Sequence, residues 1–181
     1  MHLQVLKLAK SLIQARILMS GSVPTVYETP VHTSIRRLYL SPTPVLDFLT
    51  APDLEEITLW VPPDNGPDLR AHLGPFLARS SCPLRRLCLH RKPDSQIMGI
   101  LAEFSCIVEL VIIITGSEAA QGVNALVSAL TVSTPGPTAS MALLPHPHLR
   151  SMYFGCGMES WINYAKMLTS RWKVPNSGDK P

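Results

Sequence analysis

The stretch Leu84-Arg85-Arg86-Leu87-Cys88-Leu89, residues 84–89, has apolar residues at its first, fourth and sixth positions. The same pattern occurs six times in the 181-residue chain. The other copies are Leu12–Ile17, Ile35–Leu40, Leu54–Leu59, Ile107–Ile112 and Leu149–Phe154. This L-x-x-L-x-L pattern is the signature of a leucine-rich repeat, in which one short strand per repeat stacks in parallel on its neighbours.

The spacing of the copies predicts a single repeat domain. They begin at residues 12, 35, 54, 84, 107 and 149, so the successive intervals are 23, 19, 30, 23 and 42 residues. Three of these intervals are close to the usual repeat length of ~20–29 residues, and the other two require insertions. We therefore expect an α/β leucine-rich-repeat solenoid over residues 1–173, with a curved parallel sheet inside and irregular helices outside.

The segments between the copies predict the outer layer. A helix over 68–79 is predicted by a one-sided apolar stripe, Leu69, Leu73, Phe76 and Leu77, which should face the core. A second helix, capped by Asp94, is predicted by Ile97, Ile100, Leu101 and Phe104, which likewise lie on one face. We also expect a short helical turn over 44–49, a helix over about 118–130, and a loop over 134–140 that is rich in proline, threonine and serine.

The two ends of the chain are predicted to differ in how they are capped. Trp161, Leu168 and Trp172 lie at helical spacing and predict a capping helix over about 158–172, followed by a flexible tail over 174–181. No comparable cap precedes Leu12. An uncovered strand edge offers unpaired backbone groups, so we expect a chain that begins at Met1 to self-associate. The alternative explanation of the missing cap is a fragment of a longer protein or a truncated gene product.

Composition narrows the class of protein. The hydrophobic content is 46% and the formal net charge is +3, with the basic residues spread along the chain, so we expect neither nucleic acid nor a membrane as a partner. Lys7, Lys10 and Arg16 interrupt the amino-terminal apolar residues, so no secretory signal is expected. The cysteines form no C-x-x-C pair, which indicates reduced thiols in an intracellular protein, cytoplasmic or nuclear.

Side chains alternate across a strand, so the variable positions of each copy should share one face of the sheet. The third positions are Gln14, Arg37, Glu56, Arg86, Glu109 and Ser151. Their alternating charges predict a ladder that favours correct strand register by ~0.2–1 kcal/mol per pair. The alternative interpretation is that these charges recognise a partner.

Aromatic residues on the same face predict a protein-binding surface. Tyr39, Trp60 and His90 should lie on adjacent strands, where exposed aromatic side chains are typical anchors of an interface. With Arg37 and Arg86 they form the predicted binding site. An alternative is that the turn at Pro62-Pro63 covers Trp60.

The sequence does not indicate catalysis, a metal or a cofactor. It has no phosphate-binding glycine loop and no G-x-S-x-G motif. Cys88 and His90 could form a thiol or metal site, which makes an enzyme the alternative function, but no third orienting group is visible. Adding His146, His148 and Cys156 gives no spacing known for zinc.

Four stretches resemble a known family: residues 48–59, 80–89, Val108-Glu109-Leu110 and Ser170-Arg171-Trp172. In this order they are similar to the leucine-rich carboxyl-terminal halves of the F-box protein family expanded in mushroom-forming fungi. The resemblance implies the substrate-recognition part of an SCF-type ubiquitin ligase, whose repeats hold a protein target while an F-box docks on the ligase adaptor. No F-box helix bundle precedes Leu12, so we do not expect these residues to bind the adaptor.

Overall fold

Six parallel strands of five residues each form the main sheet of the molecule. The computed structural model describes residues 2–9, 11–19, 30–60, 68–90, 95–104, 106–113, 127–128, 131 and 148–155. In chain order, the elements are α1 (His2–Leu8), β1 (Gln14–Leu18), β2 (Val31–His32), β3 (Arg37–Ser41), a 3₁₀ turn (Thr43–Phe48), β4 (Leu49–Thr50), β5 (Glu56–Trp60), α2 (Leu69–Ser80), β6 (Arg86–His90), α3 (Ser95–Glu103), β7 (Glu109–Ile113) and β8 (Ser151–Gly155).

The main sheet follows the sequence motif. Its strand order is β1-β3-β5-β6-β7-β8, and every neighbouring pair is parallel. Each strand begins at the third position of its motif copy, so equivalent positions pair, as Glu56 does with Arg86 and Arg86 with Glu109. The predicted α/β class and the parallel sheet of six strands are therefore confirmed.

The apolar motif positions build the core. In the central copies the first, fourth and sixth residues are fully buried, as Leu84, Leu87 and Leu89 illustrate. In the first copy only Ala15 is buried, whereas Leu12 and Ile17 are partly exposed. The difference arises because β1 pairs with β3 alone among the described strands, so its side chains have neighbours on one side only.

Helices α2 and α3 cover the core on one face of the sheet. The Asp68 carboxylate accepts a hydrogen bond from the Arg70 backbone N–H at 2.9 Å, so Asp68 caps α2 and the helix begins one residue later than predicted. Its predicted inward residues, among them Leu73 and Phe76, are buried. In α3, Ile97 and Ile100 are buried as expected, while its predicted cap, Asp94, lies outside the described residues.

A second, smaller sheet was not predicted. Strands β2 and β4 pair in parallel, beside the 3₁₀ turn over Thr43–Phe48, which confirms the short helical turn expected over 44–49 to within one residue at each end. Arg79 of α2 fixes this region, because its guanidinium donates to the carbonyl oxygens of Leu46 at 2.8 Å and of Leu49 at 2.9 and 3.1 Å. Two-residue strands show no periodicity in sequence, so only their tertiary partners reveal them.

Some predicted features lie outside the described residues. Of the helix expected over 118–130, only Val127, which is buried, and Ser128 are described. The loop over 134–140, the capping helix over 158–172 and the tail over 174–181 lie entirely outside. No helix in the described part of the chain is both long and apolar enough to cross a membrane.

Candidate functional site

The face of the main sheet opposite α2 and α3 carries the predicted site, and we call it the open face. The second and fourth residues of each strand point into the core, so the first, third and fifth point to the open face. Strand pairing aligns them in three rows. The first row is Gln14, Arg37, Glu56, Arg86, Glu109 and Ser151; the middle row is Arg16, Tyr39, Thr58, Cys88, Val111 and Tyr153; the last row is Leu18, Ser41, Trp60, His90, Ile113 and Gly155.

Opposite charges alternate and pair along the first row. Arg37 Nε lies 3.9 Å from Glu56 Oε2, and Arg86 Nη1 lies 3.8 Å from Glu56 Oε1. Arg86 Nε lies 3.4 Å from Glu109 Oε1, although it is buried and its contact lacks hydrogen-bond geometry. Since these side chains are 30–63% exposed, each pair contributes only ~0.2–1 kcal/mol. The ladder therefore supports strand register and leaves the first row nearly neutral.

The Tyr39 ring is held from two sides. Arg16 Cζ lies 4.6 Å from the ring centroid, which is within the range of a cation–π contact. His90 meets the same ring edge to face, with the centroids 6.2 Å apart and the planes inclined by 66°. Thr58 of β5 is in register with Tyr39 on one side and with Cys88 on the other. The open face thus presents Tyr39 already oriented.

Trp60 adds an exposed apolar surface beside this group. It pairs in register with His90 and is 49% exposed, which is unusual for so large a side chain. The turn at Pro62-Pro63 that was considered as a cover lies outside the described residues. Exposed tryptophan and tyrosine are the side chains that most often anchor protein interfaces.

Cys88 forms part of the floor of the open face. It is buried, and burial raises the pKa of its thiol, while a hydrogen bond with Thr58 and the nearby Arg86 guanidinium partly offset this effect. Only the thiolate is a strong nucleophile or metal ligand, so a raised pKa reduces the reactive fraction at neutral pH. This environment suits a structural cysteine better than a catalytic one.

The residues considered for a metal site do not converge where they are described. No group of three or more His, Cys, Asp or Glu side chains in the described ranges could hold a metal ion. His148 is described and exposed, ahead of β8. His146 and Cys156 lie outside the described residues.

The five predicted site residues fall into two groups on the open face. Arg37 and Arg86 share Glu56 in the first row, and Tyr39, Trp60 and His90 form the second group. Sequence reasoning did not assign roles to Arg16 or Thr58. Both stand at the fifth motif position with Tyr39, so the motif places them in one row, but only the side-chain positions reveal the Arg16 contact.

Comparison of the chain with protein-family models, with curated proteins and with solved structures finds no match. The open face offers oriented aromatic rings, paired charges and a buried thiol.

Proposed function

We propose that the chain is a non-catalytic protein-interaction scaffold, built as a leucine-rich-repeat solenoid, whose open face binds a protein target. The observation that carries this proposal is the group formed by Tyr39, Trp60 and His90. These side chains are partly or largely exposed on one face of a parallel sheet, and contacts with Arg16 and His90 orient the Tyr39 ring before any partner arrives. Preoriented aromatic anchors lose little conformational entropy on binding, which favours affinity.

The backbone supports the repeat architecture. At each of the five junctions between neighbouring strands, one carbonyl oxygen accepts two N–H groups at 2.8–3.1 Å. The acceptor is always the second residue of one motif copy, and the donors are the second and third residues of the next; Ile13, for example, accepts from Arg36 and Arg37. Identical hydrogen bonding at every junction is typical of stacked repeats, in which each unit contacts its neighbours in the same way.

A substrate-recognition role within an SCF-type ubiquitin ligase follows from the family resemblance. In that role the open face holds the target, and an F-box docks on the ligase adaptor. The described residues of this chain contribute the target-binding surface to such an assembly. We therefore propose an F-box-type receptor as the protein from which the scaffold derives.

Affinity purification from native cells tests the scaffold function. The bait is the full chain, compared with a triple variant in which Tyr39, Trp60 and Arg86 are changed to alanine. We expect a specific protein partner that the triple variant loses, because each anchor contributes ~1–3 kcal/mol if it is a hot spot. A control variant changes Lys7, Arg85 and Arg150, which are exposed and outside the three rows of the open face, to alanine and should keep the partner.

The same experiment distinguishes the alternatives. An identical partner list for both triple variants would place the binding site elsewhere and contradict the proposal. Recovery of the ligase adaptor would indicate that this chain engages the ligase itself. Cys88→Ser distinguishes a scaffold from a thiol enzyme. An unchanged partner list and an unchanged phenotype of the native cells support the scaffold. Loss of the normal phenotype while the partner is still bound supports catalysis.

A further inference from the structure

We propose that the open face binds an extended segment of the target that bears an anionic side chain close to an aromatic or large apolar one. Arg16 binds the anion, and Trp60 packs against the apolar side chain. This inference rests on the proposed function and specifies the chemistry of its partner.

The charge distribution on the open face carries the inference. In the first row two arginines and two glutamates contact one another, so their charges largely cancel. Arg16 is the charged residue of the middle row, and it forms no ion pair with any carboxylate in the described part of the chain. The uncompensated charge next to the aromatic group is therefore positive, and its complement is an anion.

The position of Arg16 suits an anionic group. Its guanidinium carbon lies over the Tyr39 ring at 4.6 Å, and the side chain is exposed. A guanidinium that stacks on a ring through its face keeps its N–H donors in plane, where they can bind a carboxylate or phosphate through two parallel hydrogen bonds. Tyr39 thus acts as a positioning residue for Arg16.

The spacing of the two anchors sets the spacing of the ligand groups. Arg16 is on β1 and Trp60 is on β5, with β3 between them. Neighbouring strands are ~4.8 Å apart, and Trp60 is one row, or ~7 Å, further along the strands than Arg16, so the backbones of the two anchors are ~12 Å apart. An extended peptide covers ~12 Å in three to four residues. We therefore expect the anionic and aromatic residues of the ligand to lie two to four positions apart.

Selection from a library of random 12-residue peptides displayed on phage tests this inference. The baits are the full chain, Arg16→Gln, and the control Arg150→Gln, which removes an exposed arginine off the open face. We expect the full chain and Arg150→Gln to enrich Asp or Glu two to four positions from an aromatic or large apolar residue, and Arg16→Gln to lose this enrichment. A selected peptide, resynthesised, should bind Arg16→Gln about tenfold more weakly, the loss typical of a charged hydrogen bond.

Two further measurements complete the test. Arg16→Lys keeps the charge without the planar donors, so its affinity should lie between those of the wild type and Arg16→Gln. Replacing the selected acidic residue with phosphoserine separates the two sources of an anion: tighter binding identifies a phosphorylated segment, and weaker binding identifies a carboxylate. Both results support an anion site, whereas equal binding of a version with a neutral residue at that position overturns it.

Failure of the inference and failure of the proposed function give different results. Binding to Trp60→Ala shows which selected peptides require Trp60. If these peptides show no acidic enrichment, the anion site is overturned and the scaffold function stands. Acidic peptides that bind Arg16→Gln as tightly as the wild type lead to the same conclusion. A selection that yields no peptide dependent on Trp60 counts against both.

Discussion

Tyr39 and His90 meet edge to face although β5 separates their strands, with ring centroids 6.2 Å apart. Two strand spacings amount to ~10 Å, so the contact requires the side chains to lean across the strand between them. Thr58 is the residue of β5 in register with Tyr39, and we infer that its small side chain permits the contact. The contact orients the aromatic group that we propose as the binding site.

The size of residue 58 should control this contact. Thr58→Phe fills the space between the rings and should separate them, whereas the near-isosteric Thr58→Val should leave them in contact. The measurement is the chemical shift of the His90 ring protons, which the Tyr39 ring current affects. We expect Thr58→Phe to move these shifts toward those of a Tyr39→Leu variant. A shift unchanged in Tyr39→Leu itself would show that the rings do not meet in solution.

The charge ladder should contribute modestly and in a salt-dependent way to stability. Glu56 lies between Arg37 and Arg86, so Glu56→Gln removes two weak pairs and should lower the free energy of unfolding by ~0.4–2 kcal/mol. Glu56→Lys places three cations on neighbouring strands and should cost more. Urea denaturation at low and high salt measures both effects. If Glu56→Lys is as stable as Glu56→Gln at low salt, the charges of the ladder do not stabilise the strand register.

Arg79 should contribute more than an ordinary surface arginine. Its guanidinium binds the carbonyl oxygens of Leu46 and Leu49, so Arg79→Ala leaves both without this donor and should lower the free energy of unfolding by ~1–3 kcal/mol. Arg70→Ala on the same helix is the matched control. It removes an exposed ion pair with Glu103 and should cost at most ~1 kcal/mol. Equal losses in thermal or urea denaturation would refute the special role of Arg79.

Burial of Cys88 should make stability fall at alkaline pH. Burial raises the pKa of the thiol in the folded chain, so above about pH 8.5 the thiol ionises first in the unfolded chain. The unfolded state then binds fewer protons, and the free energy of unfolding decreases as pH rises. Cys88→Ala should show a shallower decrease between neutral and alkaline pH. Thr58→Val should steepen it, because it removes a hydrogen bond that lowers the pKa of Cys88.

These slopes come from urea denaturation repeated at several pH values. Other groups titrate in the same range, so the comparison is the difference in slope between each variant and the wild type. Parallel slopes for wild type and Cys88→Ala would mean that the thiol is not buried as described.

The β1 edge should drive self-association. Among the described strands β1 pairs only with β3, and large apolar side chains are exposed on and beside it, with Leu8 85%, Ile13 63% and Leu18 53% exposed. An unpaired strand edge flanked by apolar residues favours association with another chain. We expect the isolated chain to self-associate at tens of micromolar in sedimentation velocity, and Ile13→Lys, a change just before β1 and outside the three rows of the open face, to make it monomeric.

Trp60→Lys provides the control for this prediction, because it removes an exposed apolar side chain from β5 in the middle of the sheet. This variant should still self-associate. A monomeric wild type would contradict the prediction, and a monomeric Trp60→Lys would place the contact on the open face instead of the β1 edge.

The sequence by itself determined the position and phase of the main strands. All six begin at the third motif position, because alternation of apolar and variable residues is a local pattern that leaves a strand only one way to bury its leucines. The positions of residues within the motif also predicted which charged side chains would pair. They likewise predicted that all five proposed binding residues would share the open face. Helix α2 was likewise predictable, since its apolar stripe and its Asp68 cap are features of one short segment.

Only the tertiary structure decided the contacts between side chains that are distant in sequence. The pairing of β2 with β4, the bonds from Arg79 and the grouping of Arg16, Tyr39 and His90 all depend on separate segments meeting at particular distances. Motif position specifies a row on the sheet but not the direction in which a long side chain leans. That direction depends on the space left by its neighbours, as the meeting of the Tyr39 and His90 rings across β5 illustrates.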